Sequence, residues 1–454
     1  MSMRAPSLPA ENVFGRLRRL SNDPLAFFTQ AATLGDVVHA KVGLQNVLLL
    51  GNPEHIREVL VGQPRNFTKD RGIEATKPLL GEGLLSSEGE FHKRQRRLAQ
   101  PAFHHARISA YGQVMAEHAH RTQERWQDGA GLEVVSEMMR LALGVVAKTL
   151  FDSDVEGQSR EIGEALSTCM EMFTIARVPF SHILHALPLP STLRFKKARG
   201  KLDEIVYRFI REHRESGVDR GDLLSMLLLE QDAEGGTGGM SDRQLRDEAM
   251  TIFLAGHETT AAMLSWTWHQ LAQNPEVEAR LHAELDSVLG GRTPSVEDLR
   301  KLPYTEMVLS ESMRLAPPAW AIGRIASADT EIGGVALPKG WAVVMSQWVV
   351  HRDARLWPDP LRFDPERFTP ERKAARHKFA YFPFGGGPRV CIGDGFAWTS
   401  GILMLATLAQ RWRLKSVPGH PVVPLPRVTL RMKHGLKMTL ERRVPVARAS
   451  AVAG

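Results

Sequence analysis

The pattern of apolar and polar positions predicts a chain that is mostly helical. Its clearest element runs from Ser241 to Gln273, where Ser241 and Gln244 have the spacing of a capping box and Asn274–Pro275 ends the run. A helix of this length spans roughly 50 Å, which is enough to cross a whole domain. Further helices are predicted over 275–289, about 303–315 and after Cys391.

The predicted β structure is small. Two runs rich in β-branched and apolar residues, VVHAKVG (37–43) and NVLLLG (46–51), predict a strand pair near the front of the chain. Residues 330–348 predict further short strands around a PKG turn. The segment 351–390 carries many prolines and aromatic residues and little periodicity. The predicted fold class is therefore mainly α with a small β part.

Composition narrows the function classes. The chain has 58 basic and 51 acidic residues, a formal net charge of +7, which allows either plain solubility or a basic docking face. The basic residues are scattered among acidic ones, so nucleic acid is not an expected partner. Cys169 and Cys391 lie far apart and fit neither a disulfide framework nor zinc spacing. No run reaches the length of a membrane span, and we expect a cytoplasmic protein.

Cys391 lies in the run FPFGGGPRVCIG, which sets it apart from Cys169. Glycines let a backbone approach a flat ligand closely, and their amides can stabilise a thiolate. A helix is predicted just after Cys391, and a helix N-terminus favours an anion there. Arg389 is placed to meet a carboxylate at the edge of a cofactor. Cys169 has no such neighbours and is expected to be a small buried side chain.

This run closely resembles the cysteine-ligand loop of the cytochrome P450 monooxygenases. The resemblance extends from about residue 20 to 442. It implies the cytochrome P450 fold, a triangular prism with a long central helix across the haem, in one haem-binding domain over 1–454 with flexible ends at 1–20 and 444–454. It also implies haem b (iron protoporphyrin IX), with Cys391 as the iron ligand and Phe384, Arg389 and Gly393 among the cofactor-binding residues.

The centre of the long helix reads AGHETT, from Ala255 to Thr260. Glycine and threonine both disfavour a helix interior, so a purely structural helix gains nothing from this run. By resemblance, small residues such as Ala255 open a groove for O2 at the haem, while Glu258 and Thr259 deliver protons. The alternative is a bent helix of the core.

Further matches concern charged residues. By resemblance, His92 and Arg96, one helical turn apart, and Arg324 bind haem propionates, because buried carboxylates need cationic hydrogen-bond donors. The alternative for the first two is a solvated basic helix. Glu311 and Arg314 with Arg367 are expected to form a buried structural triad without a chemical role.

Three functions fit such a chain. The favoured one is a monomeric monooxygenase that hydroxylates or epoxidises a small apolar substrate with O2, fed by a separate ferredoxin or flavodoxin and its NAD(P)H reductase. A peroxide-using enzyme and a non-catalytic haem-thiolate sensor are the alternatives. The pair Glu258–Thr259 favours the first, because neither alternative needs a proton relay.

The resemblance places the substrate pocket among 70–88, 171–195, Phe253, Leu254, 318–323 and about 429–436. Each of its apolar residues could either line the pocket or belong to the ordinary core: Leu79, Leu80, Leu84, Leu85, Phe173, Phe180, Trp320 and Ile322. Trp320 is expected to overhang the haem. The front strand pair, GLQNVLLLG, lacks the basic and phenolic residues that anchor a fatty-acid carboxylate in a related enzyme. We therefore expect a terpenoid or macrocycle rather than a fatty acid.

Overall fold

The computed structural model describes residues 5–8, 13–175, 189–233 and 240–444. Helices dominate these ranges. Their bounds are α1 Val13–Asn22, α2 Pro24–Ala32, α3 Pro53–Arg57, α4 Arg71–Glu74, α5 Lys77–Leu80, α6 Gly89–Ala99, α7 His105–Glu124, α8 Val134–Phe151, α9 Ser159–Ile175, α10 Pro190–Ser216, α11 Leu223–Ala233, α12 Asp242–Gln273, α13 Pro275–Leu289, α14 Pro303–Leu315, α15 Gln347–Val350, α16 Pro370–Ala375 and α17 Asp394–Ala409. The predicted mainly α class is confirmed.

The strands are short. Their bounds are β1 Val37–Val42, β2 Gln45–Leu50, β3 Phe67–Lys69, β4 Gly131–Glu133, β5 Ile322–Ala326, β6 Thr330–Ile332, β7 Val335–Leu337, β8 Ala342–Met345, β9 Trp412–Ser416, β10 Pro424–Pro426, β11 Leu430–Met432 and β12 Lys437–Arg442. The largest sheet has the order β1-β2-β8-β5-β3. The front pair β1–β2 is antiparallel and joins β8 in parallel, so the front of the chain is paired with its last third.

Helix α12 is the axis of the larger core. Ser241 caps it through the predicted capping box with Gln244, and most of its side chains are buried on all sides. It packs along α8, α10, α14 and α17. A helix surrounded in this way is apolar around most of its circumference, which explains its weak amphipathic pattern.

Two expectations about the chain differ from the structure. Strands β3 and β5 were not evident from the sequence, because each is short and its pairing partner lies far away in the chain. Within the front end expected to be flexible, residues 13–22 form α1, and Arg16 donates to the Lys41 carbonyl at 2.9 Å. That helix is therefore attached to β1. Residues 445–454 lie outside the described ranges.

Candidate active site

Cys391 sits in a loop closed by its own backbone. Its N–H donates to the Phe384 carbonyl at 3.0 Å, just before α17 begins. Gly387 has φ +67°, and a Cβ there would lie 1.8 Å from the Leu60 carbonyl oxygen. Only glycine fits at this position, because both the backbone angle and the close approach exclude a side chain. The glycine run therefore sets the path of the loop that presents the sulfur.

The thiol of Cys391 is accessible at its surface although protein surrounds it. Burial raises its pKa, while the Gly393 backbone N–H and the Arg96 charge lower it. A thiolate here lacks a compensating cation in contact with the sulfur, and a buried unpaired charge is costly. A metal cation bound to the sulfur removes that cost, so the donor fits a haem iron.

Helices α12 and α17 cross where Met263 fills the space beside Gly401; a Cβ on that glycine would lie 2.4 Å from the Met263 methyl carbon. Ala255 lies two turns earlier on α12 and is exposed, although most of the helix is buried. By the resemblance described above, a haem bound to Cys391 would have Ala255 and Thr259 on its other face, and we call the space between these residues the cleft. The Thr259 hydroxyl donates to the Ala255 carbonyl at 2.8 Å and keeps its lone pairs for a second donor.

Glu258, which by resemblance delivers protons, is held by two partners from the C-terminal β segment. Its Oε1 accepts from the Thr429 hydroxyl at 2.5 Å and from Arg431 Nε at 2.7 Å. The carboxylate is buried, whereas the Arg431 side chain is 26 % exposed. Proton exchange between Glu258 and solvent therefore requires this ion pair to open on the side of β11.

The four predicted propionate partners lie together with a fifth cation, Lys69. We call Lys69, His92, Arg96, Arg324 and Arg389 the cation cluster. The antiparallel register of β3 and β5 places Lys69 directly opposite Arg324. Burial, together with the charges of Arg324 and Arg389, lowers the pKa of Lys69 to about 7. Burial also lowers the pKa of His92 to about 3, helped by Arg389, Lys69 and Arg96, so its ring is neutral.

The cation cluster holds more positive charge than the carboxylates around it balance. Glu88 pairs with Arg389 and accepts the Lys69 backbone N–H at 2.6 Å. Asp70 is the other carboxylate whose charge acts on Lys69 and Arg324. Like charges opposite each other in a strand pair are destabilising. Three arginines against two carboxylates leave an excess of positive charge, and protonation of Lys69 adds to it, so the cluster fits anionic groups such as haem propionates.

Lys69 is a candidate site residue that sequence reasoning missed. Its position opposite Arg324 is what identifies it, and this strand register is known only once β3 and β5 have paired. Arg96 also does more than expected, because it donates to the Val390 carbonyl at 2.7 Å and so supports the Cys391 loop.

The predicted pocket residues divide into core and cleft. Leu79, Leu80 and Phe253 are at most 1 % exposed and belong to the core. Others are half-buried or nearly buried: Leu84, Leu85, Leu254 and Ile322. Phe180 and the side chain of Phe173 lie outside the described parts of the chain.

Trp320 does not have the overhanging position expected for it. Its indole N–H donates to the Arg427 carbonyl at 2.9 Å, its ring lies 5.8 Å from that of Phe28, and it is 6 % exposed. It ties α2 to the C-terminal β segment, because an indole in a core needs both apolar neighbours and an acceptor. These contacts favour the core interpretation for this residue.

The structural triad is confirmed. Arg314 makes a two-pronged ion pair with Glu311, at 2.7 and 2.8 Å, and Arg367 Nε lies 3.3 Å from the same carboxylate. All three are buried. Arg314 also donates to the carbonyls of His351 and Pro360, so the triad fixes the irregular segment that precedes the Cys391 loop.

Comparisons with known proteins agree with this geometry. The profile of the family described as Cytochrome P450 matches residues 6–439. Cyclooctatin synthase of Streptomyces melanosporofaciens is 41% identical over 92% of this chain and 91% of its own length. Cyclooctat-9-en-7-ol 5-monooxygenase of the same organism is 39% identical, over 90% and 88%. Pentalenene oxygenase of Streptomyces avermitilis is 35% identical, over 95% and 96%.

A solved structure described as the cytochrome P450DA heme domain superposes with a TM-score of 0.86 at 26% identity, and covers 98% of this chain and 99% of that one. Within the described ranges, no helix is both long and apolar enough to cross a membrane.

Proposed function

Since the chain belongs to the cytochrome P450 family and is a monooxygenase that carries protoporphyrin IX haem iron, we propose that it oxidises a terpenoid in the cleft between Cys391 and α12. The observation that carries the substrate class is the similarity, over at least 90% of this chain, to three bacterial terpenoid oxygenases. The exposed Ala255 and the half-buried Leu85 and Ile322 support an apolar ligand.

Cys391 is the proposed iron ligand, and the cation cluster is the proposed seat of the propionates. When bound, haem with a thiolate ligand supplies O2 activation and the transfer of one oxygen atom to carbon. Phe384 and Gly393 shape the loop beside the sulfur, and the Gly393 amide favours the thiolate. On the other face, the Thr259 hydroxyl is proposed to hold and pass protons, with Glu258 as their source.

The test of the substrate class is ligand binding followed by the Soret band of the purified holoenzyme. We expect pentalenene and cyclooctat-9-en-7-ol to shift the band toward the high-spin form, and palmitic acid not to do so. Product analysis with a surrogate ferredoxin and reductase then identifies hydroxylation or epoxidation. A shift with palmitic acid alone would contradict the terpenoid proposal and leave the family assignment intact.

Electrons are proposed to come from a separate acidic ferredoxin or flavodoxin that docks on α6. His92, Gln95 and Leu98 form the buried face of this helix, whereas Lys93 and Arg97 are exposed. Steering by charge mainly affects association and is screened by salt. We expect the rate of reduction to fall as ionic strength rises, and charge reversal at Lys93 and Arg97 to remove most of that dependence. If the rate of reduction depends neither on ionic strength nor on these charge reversals, the docking site lies elsewhere.

A further inference from the structure

Three consecutive residues of α12, namely Arg246, Asp247 and Glu248, hold the loop that follows α5. Arg246 donates to the Leu79 carbonyl at 2.6 Å. Asp247 accepts the Glu82 N–H, and Glu248 accepts the Leu84 N–H, each at 3.0 Å. We call Arg246, Asp247 and Glu248 the clamp. All three are buried. Arg246 also pairs with the carboxylates of Asp203 and Asp247, so the clamp is itself held in place by side-chain ion pairs.

The loop is shaped to receive the clamp. Gly81 has φ +59°, and a Cβ there would lie 2.0 Å from Asp247 Oδ2. A Cβ on Gly83 would lie 2.2 Å from the Thr251 hydroxyl and 2.5 Å from the Asp247 carbonyl oxygen. The two glycines therefore let the loop backbone lie directly on α12. Contacts of this closeness exist in one register only, so the clamp fixes where the loop lies.

The clamped loop connects two sides of the cleft. At one end it rests on Asp247 and Thr251, one turn before the exposed Ala255. At the other end the Ser87 carbonyl accepts from Arg389 of the cation cluster at 2.8 Å. Between these two attachments lies the half-buried Leu85. A segment tied at both ends in this way is held in one position between the middle of α12 and the cation cluster.

We propose that the clamp sets which ligands the cleft admits, by fixing Leu79–Leu85 as a rigid wall, without touching the ligand. Arg246, Asp247 and Glu248 are thus positioning residues for substrate selection. The proposal rests on the proposed placement of haem and substrate in the cleft. It does not depend on the terpenoid class, because any ligand above the iron meets the same wall.

The experiment uses two iron-binding probes of different size, imidazole and 4-phenylimidazole, titrated into holoenzyme and followed by the Soret shift. Variant Gly83→Ala disrupts the clamp from the side of the loop, and Glu248→Ala disrupts it from the side of α12. We expect both to change the ratio of the two dissociation constants by about tenfold, because fit in an apolar pocket discriminates on that scale. Gly200→Ala is the matched control, since a Cβ at Gly200 meets nothing within 4 Å.

Hydrogen exchange reports the clamp itself. The amides of Glu82 and Leu84 should exchange slowly in the wild type and in Gly200→Ala, and rapidly in both clamp variants. Asp247→Asn keeps an acceptor for the Glu82 N–H, so it should preserve both the slow exchange of these amides and the ratio of the two dissociation constants. This variant also keeps the test usable if Gly83→Ala fails to fold. Rapid exchange of these amides in the wild type would overturn the proposal. So would an unchanged ratio in variants whose amides have lost protection.

Discussion

The two sides of the cleft are held by different kinds of interaction. On the side of Cys391, the loop is closed mainly by its own backbone, through the bond from Cys391 to Phe384, and remote groups such as Leu60 and Arg96 pack against it. On the side of α12, Glu258 depends on Thr429 and Arg431, more than 170 residues away. The first side is built locally and is rigid, whereas the second is assembled by tertiary contacts and can be adjusted. An iron ligand needs a fixed position, while a proton donor needs an ion pair that can open.

The largest effect is expected on the locally built side. Cys391→Ser removes the soft sulfur ligand, so the reduced CO complex should lose the red-shifted Soret band after which the family is named. Cys169→Ser is the matched control, because that thiol is buried and burial raises its pKa to about 12. Its absorption spectrum should be unchanged. A Cys391→Ser protein that keeps the band would disprove the ligand assignment.

The next effect lies on the α12 side. Thr259→Ala removes the hydroxyl that faces the cleft, and a positioned proton donor contributes about 10²–10⁴ in rate. We expect normal haem content and CO binding, continued NADPH consumption, and most of the reducing equivalents released as hydrogen peroxide. Peroxide yield per NADPH measures this directly. Thr260→Ala is the neighbouring control, because that hydroxyl is buried and bonds to the Gly256 carbonyl. Full coupling in Thr259→Ala would remove the assigned role.

Arg431→Gln tests whether Glu258 needs its tertiary partner. Without the guanidinium, Glu258 loses the charged partner that holds it in place, so turnover should slow by about tenfold. Arg431→Lys keeps a cation and should restore most of the rate. A solvent isotope effect that increases in Arg431→Gln but not in Arg431→Lys would locate the slowed step in proton transfer. Equal turnover in all three proteins would count against this control of Glu258.

Lys69→Met returns to the Cys391 side and tests the charge balance of the cation cluster. Loss of one buried charge-assisted hydrogen bond is worth about 1.5–3 kcal/mol, so transfer of haem to apomyoglobin should be about tenfold faster. The haem reduction potential should become more negative, because a nearby cation is lost. Lys69→Arg should preserve both properties. Lys41→Met, an exposed lysine of the same sheet, should alter neither; equal effects of both methionine variants would refute a specific role.

The smallest effect concerns the clamp and pH. Burial, opposed by the hydrogen bond from the Leu84 N–H and helped by the Asp247 charge, raises the pKa of Glu248 from 4.5 to about 8. The folded state therefore holds a proton that the unfolded chain releases, so this group lowers the free energy of unfolding as pH rises from about 4.5 to about 8. Glu248→Gln should flatten the dependence of the melting temperature on pH in that window. An unchanged slope would show that another group controls it.

Prediction from sequence was most successful where neighbours in the chain decide the structure. The capping box of Ser241 and Gln244, the β1–β2 pair and the Cys391 loop all depend on residues close together, and the structure shows the first two where predicted. It was least successful for residues whose partners are remote. Trp320 was expected above the haem, yet its indole N–H bonds to Arg427. The sequence does not reveal which distant residue an apolar side chain will contact.

The sequence by itself determined that a thiol stands in a glycine-built loop before a helix, and that an acid and an alcohol stand at the centre of a long helix. These features follow from backbone angles and hydrogen bonds that span a few residues. Only the tertiary structure decided that Lys69 lies opposite Arg324, that Arg431 holds Glu258, and that the clamp ties Leu79–Leu85 to α12. Each of these depends on strand register or helix packing between distant segments, and the burial that makes these charges matter exists only once those segments have come together.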